Sequence, residues 1–194
     1  MSSERKNTLP NPTLDELRQE LERVRKKKRK GRRSLIALTA SAVVLVAVVI
    51  IAFALPVLRI HGSSMEPTLS PGDIIVAIRG DELSPGKMVA FEYGNKVLVK
   101  RVIACSGDLV QIQDDGHVLV NQQALREDYV SELASGSPDI EQPYRVAVNE
   151  YFVLGDHRAE SVDSRYAALG CVSKEQVIGR VMMRIWPLNA INIW

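Results

Sequence analysis

Val97-Leu98-Val99-Lys100-Arg101-Val102-Ile103 is the stretch on which the fold turns. It is apolar and rich in β-branched side chains, which crowd the preceding turn of a helix but suit a pleated strand. Short runs of the same kind stand on either side of it. Ile74-Ile75-Val76-Ala77-Ile78 follows the turn Ser70-Pro71-Gly72-Asp73, and Met88-Val89-Ala90-Phe91 follows the similar turn Ser84-Pro85-Gly86-Lys87. Val110-Gln111-Ile112-Gln113 and His117-Val118-Leu119-Val120 flank Asp114-Asp115-Gly116, a hairpin signal. Tyr151-Phe152-Val153-Leu154 and the run from Gln176 to Ile185 complete the set, and residues 131–143 have the Ser, Gly, Pro and acidic composition of an exposed loop. No long amphipathic helical pattern follows residue 56, so this part of the chain is predicted to be mostly β.

The part before residue 56 has another character. Residues 1–33 carry 12 Lys and Arg against 5 Asp and Glu, residues 34–55 carry none, and residues 56–194 carry 13 against 18. Residues 1–12 are polar and read as disordered. Thr13-Leu14-Asp15-Glu16 has the form of a capping box, and Leu14, Leu17, Leu21 and Val24 make a narrow helical stripe. The basic cluster Lys26-Lys27-Lys28-Arg29-Lys30, with Arg32-Arg33, then meets an uncharged run from Ser34 to Leu55. At 1.5 Å per residue that run spans roughly 33 Å as a helix, enough for the hydrocarbon core of a bilayer. Basic residues on its N-terminal side predict residues 1–33 in the cytoplasm and residues 56–194 on the outer face. Next to such a run the basic cluster fits anionic lipid headgroups rather than nucleic acid. Ala52-Phe53-Ala54 resembles a cleavage site, but the run and the leader before it are both long for a removable signal peptide, so an uncleaved single-pass anchor is expected. Three segments follow: a basic segment 1–33, an anchor 34–55 and an extracytoplasmic domain 56–194, which has length for one sizeable core.

Gly62-Ser63-Ser64-Met65-Glu66-Pro67-Thr68-Leu69 joins flexible small residues to a stiffening proline, a setting that presents a serine at a cleft. A serine hydroxyl needs a base. His157 is the better placed of the histidines, because His61 is too near Ser64 in sequence for the reach and angle required. Lys100 is the other candidate: burial would lower its pKa, whereas strand alternation would point it to solvent on an edge strand. The segment Gly155-Asp156-His157-Arg158-Ala159-Glu160-Ser161-Val162-Asp163-Ser164-Arg165 is charge-dense, and an ion-pair network among Asp156, Arg158, Asp163 and Arg165 would hold it rigid on the sheet. Cys105 and Cys171 lack metal-ligand spacing and read as two free thiols.

These stretches, with Gly72-Asp73-Ile74-Ile75-Val76 and Gly107-Asp108, closely resemble the bacterial type I signal peptidases, membrane-anchored serine–lysine proteases, over nearly all of Leu35 to Trp194. The resemblance implies coiled antiparallel β-sheets and cleavage of signal peptides from exported preproteins, with no metal or cofactor. It implies Ser64 as nucleophile, Lys100 as general base, Ser161 as the residue orienting that lysine, and Asp163 with Arg165 as a supporting pair. Three places depart from the family pattern. Gly62 stands where some members carry an oxyanion-hole serine, so the hole is expected to use backbone N–H groups of Gly62, Ser63 and Ser64. Ala104-Cys105-Ser106 precedes Gly107-Asp108 where a Gly-x-Pro sequence is common. His157, Ala159 and Glu160 replace the usual Asn, Asp and Asn. Two alternatives are a peptidase dedicated to pilin or surface-assembly precursors and an inactive membrane-tethered assembly factor.

Overall fold

Short apolar runs punctuated by Pro-Gly turns become, among the described residues, twelve β-strands. The computed structural model describes residues 18–19, 23, 25, 28, 36–49, 55–80, 82–133 and 138–194. The capping box at 13–16, the stripe Leu14, Leu17, Leu21 and Val24, most of the basic cluster, Ala52-Phe53-Ala54 and part of the 131–143 loop lie outside them. The chain divides into two units, Met1–Ile51 and Ala52–Trp194. In the first, residues 36–49 form a helix whose described side chains are all exposed. The ends of the expected 34–55 anchor lie outside the described residues, and no described helix is long and apolar enough to cross a membrane.

The second unit holds two antiparallel sheets, as the mostly β expectation required. The larger has eight strands. Seven run in the order β1 (Val57–Arg59), β2 (Ile74–Ile78), β11 (Val177–Trp186), β3 (Met88–Tyr93), β4 (Lys96–Ala104), β9 (Glu150–Leu154) and β10 (Val172–Ser173), and β12 (Asn192–Ile193) also pairs with β11. The smaller follows the order β7 (Gln123–Ala124), β6 (Val118–Val120), β5 (Leu109–Ile112), β8 (Tyr144–Arg145). The predicted hairpin is present, with Ile112 opposite Val118. The turns ahead of β2 and β3 use Gly72 and Gly86 at φ +95° and +88°, a backbone region open to glycine at little cost.

Three apolar clusters form the interior. Ile60, Met65, Leu69, Ile75, Met88 and Val181 make one, so the turn carrying Ser64 is pinned by burial of its own Met65 and Leu69. Val89, Phe91, Val102, Val153 and Val172 make a second, and Ile103, Val110, Val118, Phe152 and Leu154 make a third that joins the two sheets. Cys105 packs against the second cluster and Cys171 against the third, and both are free thiols.

Candidate active site

The strand β4 is paired with β3 over Lys96–Arg101 and with β9 from Arg101 to Ala104. Five successive residues, Lys100 to Ala104, are buried, a pattern that a strand with one wet face cannot give. The expectation that strand alternation would point Lys100 to solvent is overturned: it stands on the stretch of β4 that pairs with β3 alone, yet the residue is only 3% exposed, with the Ser64 turn against its amine. Its Nζ donates to Ser64 Oγ at 2.6 Å. Burial is the largest influence on the amine and brings its pKa down from 10.5 to about 8. Asp163 opposes that shift, Arg165 adds to it and Asp156 opposes it.

The nucleophile turn is tied to the 155–165 segment. Glu66 N donates to Ser63 O at 2.9 Å and Leu69 N to Met65 O at 2.8 Å, closing the turn on itself. His157 N donates to Ser64 O at 3.1 Å, and Ser63 Oγ donates to Glu160 Oε2 at 2.6 Å. His157 thus touches the serine turn through its main chain. Its Nδ1 makes no hydrogen bond and lies 3.7 Å from Glu160 Oε2, so the alternative of His157 as partner of the Ser64 hydroxyl is not realised. His61 is exposed on the cleft wall. Among the described residues, no hydrogen bond leaves the N–H groups of Gly62, Ser63 or Ser64.

The expected four-residue ion-pair network is divided among other partners. Asp163 and Arg165 do pair, Nε to Oδ1 at 2.8 Å and Nη2 to Oδ2 at 3.0 Å. Asp163 Oδ2 also accepts from Gly155 N at 3.0 Å, and Arg165 Nη2 donates to Arg158 O at 2.6 Å and to Ser161 O at 3.3 Å. One buried pair thus fastens three points of the loop. Asp156 turns instead to Arg101, accepting from Nε at 2.8 Å, and also receives the Thr68 hydroxyl at 2.5 Å. Arg158 pairs with Glu127. Arg101 and Glu127 reach Asp156 and Arg158 only through the tertiary fold, so the sequence around 155–165 carries no sign of them.

Several residues had no sequence signal of their own. Arg101 also donates to Gly86 O at 2.8 Å and stacks with Cζ 4.0 Å from the Tyr129 ring centroid. Tyr129 donates to Glu127 Oε1 at 3.0 Å. Gly155 is required by space. A Cβ there would meet Ser161 Oγ at 2.2 Å and Ser64 O at 2.5 Å. Ser161 Oγ is buried and has no hydrogen-bond partner, so the Ser161–Lys100 bond expected from the resemblance is not formed.

A cleft of about 590 Å³ opens beside Ser64. Leu58, Ile60, Met65, Leu98 and Val99 give it apolar walls. Two strands border it with unpaired edges among the described residues: β1 ends the larger sheet, and Lys96–Lys100 of β4 pairs with β3 alone. A buried lysine of lowered pKa against a serine, at the end of a cleft with free strand edges, is the equipment of a serine peptidase acting on extended peptide.

Comparison with known proteins agrees. The family described as signal peptidase, peptidase S26, matches residues 32–186. The chain is 37% identical over 99 residues to signal peptidase I of Leptolyngbya laminosa, covering 50% of this chain and 45% of that protein. It is 32% identical over 168 residues to the probable signal peptidase I-2 of Synechocystis sp., covering 80% and 74% respectively. Signal peptidase I of Bacillus licheniformis is 32% identical over 162 residues, covering 77% of this chain and 86% of its own length. The chain belongs to the peptidase S26 signal peptidase family and is a serine endopeptidase of the type I signal peptidase kind.

Proposed function

We propose that Ser64 and Lys100 form the catalytic dyad with which this chain removes signal peptides from exported preproteins. The 2.6 Å Nζ–Oγ contact carries the assignment. Neutral Lys100 accepts the Ser64 proton as Oγ attacks the scissile carbonyl, and later gives it to the leaving amine, after which water resolves the acyl-enzyme. Main-chain N–H groups of Gly62, Ser63 and Ser64, none spent on another hydrogen bond among the described residues, are the donors for the oxyanion. Asp163 and Arg165 hold the 155–165 loop against Lys100. Ser161 is read as the residue that orients Lys100, a role left open to it by a buried hydroxyl that holds no hydrogen bond. Substrate lies extended in the cleft between β1 and β4, against its apolar walls.

Residues 34–55 anchor the chain in the cytoplasmic membrane, with 1–33 cytoplasmic and the catalytic domain 56–194 on the outer face. The described helix supports this. Ile36, Leu38, Val43, Val44, Leu45 and Val48 are exposed on a helix without a charge, a surface that suits an apolar surrounding. Thr39 and Ser41 return their hydroxyls to Ile36 O and Leu38 O, so neither needs water. The test is cleavage of a signal-peptide-bearing precursor by detergent-solubilised protein. Ser64→Ala and Lys100→Ala should each abolish it, and full activity in Lys100→Ala would remove the dyad.

A further inference from the structure

Two of the positions that depart from the family pattern, His157 and Glu160, reach the nucleophile turn at Ser63 and Ser64. Glu160 Oε2 accepts the Ser63 hydroxyl at 2.6 Å, while His157 N holds Ser64 O at 3.1 Å. Glu160 N donates to His157 O at 3.3 Å, so both ties issue from one turn of the 155–165 segment. They grip opposite sides of Ser64. The Ser63 carbonyl, which begins the peptide bearing the Ser64 N–H, accepts from Glu66 N at 2.9 Å, and the Glu160 tie holds the side chain of that same residue. The His157 tie fixes the carbonyl of the next peptide. With both peptide planes held, the backbone angles of Ser64 are set, and with them the direction of Cβ and Oγ toward Lys100.

The Ser63 bond has a second effect. A serine hydroxyl has a single proton to donate. Here that proton is committed to a carboxylate, so the Ser63 side chain is held away from any role as an oxyanion donor, and the main chain alone remains for that role.

We propose that Glu160 is a positioning residue: through the Ser63 hydroxyl it sets the Ser63–Ser64 peptide, and so aims both the nucleophile and the Ser64 N–H. This rests on Ser64 being the nucleophile. Glu160 does not touch the reacting atoms, and no influence of its charge on Lys100 enters the proposal. The groups around its carboxylate are the Ser63 hydroxyl and the His157 imidazole, whose Nδ1 is 3.7 Å from the same oxygen.

The test uses the full chain in detergent with a signal-peptide-bearing precursor, and kcat and KM are measured separately. Glu160→Ala and Ser63→Ala should each lower kcat about fivefold with KM unchanged, as expected for one lost hydrogen bond of ordinary net strength at an exposed carboxylate. The double variant should be no worse than either single one, since both remove the same bond. Glu160→Gln keeps an oxygen that accepts from Ser63 and should restore kcat to within about twofold of wild type. The midpoint of the pH–rate profile should stay at the wild-type value throughout. Unchanged kcat in Glu160→Ala, additive losses in the double variant, or a displaced midpoint would each overturn the proposal. Ser63→Ala supplies the decision if a thermal melt finds Glu160→Ala unfolded. Ser64→Ala is run beside them: inactive, it leaves the nucleophile assignment standing whatever Glu160 does, and active, it removes that assignment and this one together.

Discussion

The lowered pKa of Lys100 makes a quantitative demand on the pH dependence of cleavage. An ordinary lysine side chain, at 10.5, is roughly 0.03% neutral at pH 7. At about 8 it is roughly 10% neutral, so burial raises the supply of free base by about 300-fold. The base acts only when neutral, so activity is lost as pH falls through the folded value. Log kcat/KM is expected to rise with a slope near +1 per pH unit from about pH 6, then level off above about pH 8. Stability has to follow the same proton. Between about 8 and 10.5 the unfolded chain binds more protons than the folded one, so stability rises with pH across that window. The cost of holding Lys100 in its pocket is fully present below about 8 and gone above 10.5. It amounts to roughly 3 kcal/mol at neutral pH, and Lys100→Met should recover part of it while abolishing cleavage. The assays are a pH–rate profile on a precursor peptide and denaturant midpoints of wild type and Lys100→Met at pH 7 and pH 10. A rate that is flat between pH 6 and 9, a midpoint near 10, or a Lys100→Met variant less stable than wild type at pH 7 would rule out a buried, largely desolvated Lys100 as the base.

Gly155→Ala should cost about 2 kcal/mol and most of the activity, because its methyl would sit 2.5 Å from Ser64 O and closer still to Ser161; a thermal melt beside a cleavage assay checks it. Asp156→Ala leaves the buried Arg101 guanidinium without its carboxylate and should destabilise the fold by about 3–5 kcal/mol, read as a lowered denaturant midpoint. Glu127→Ala should act similarly through Arg158, by about 3 kcal/mol, although Glu127 lies far from Ser64 in sequence. Ser161→Ala should weaken cleavage with little change in the melting temperature, since its hydroxyl forms no hydrogen bond that the fold would lose.

Local chemistry made much of this protein legible in its sequence. Runs of β-branched residues between Pro-Gly and Asp-Asp-Gly turns specify strands and their limits because both preferences act within a few residues. The Gly-Ser-Ser-Met-Glu-Pro turn was readable as a place to present a serine, whereas the choice of Lys100 as base and the supporting role of Asp163 with Arg165 came from the family resemblance. What tertiary structure alone decided were the matters that depend on neighbours distant in the chain. Whether Lys100 faced water or protein turned on its meeting with the Ser64 turn, 36 positions earlier in the chain, which its own strand does not reveal. Asp156 and Arg158 chose Arg101 and Glu127 over each other because the fold brings those side chains within bonding distance and buries them together. The exposed Glu160 looked like an ordinary solvated carboxylate, and only its meeting with Ser63, 97 positions earlier, gives it a place at the nucleophile. Sequence periodicity reports which residues leave water, but it carries no information on which of them meet.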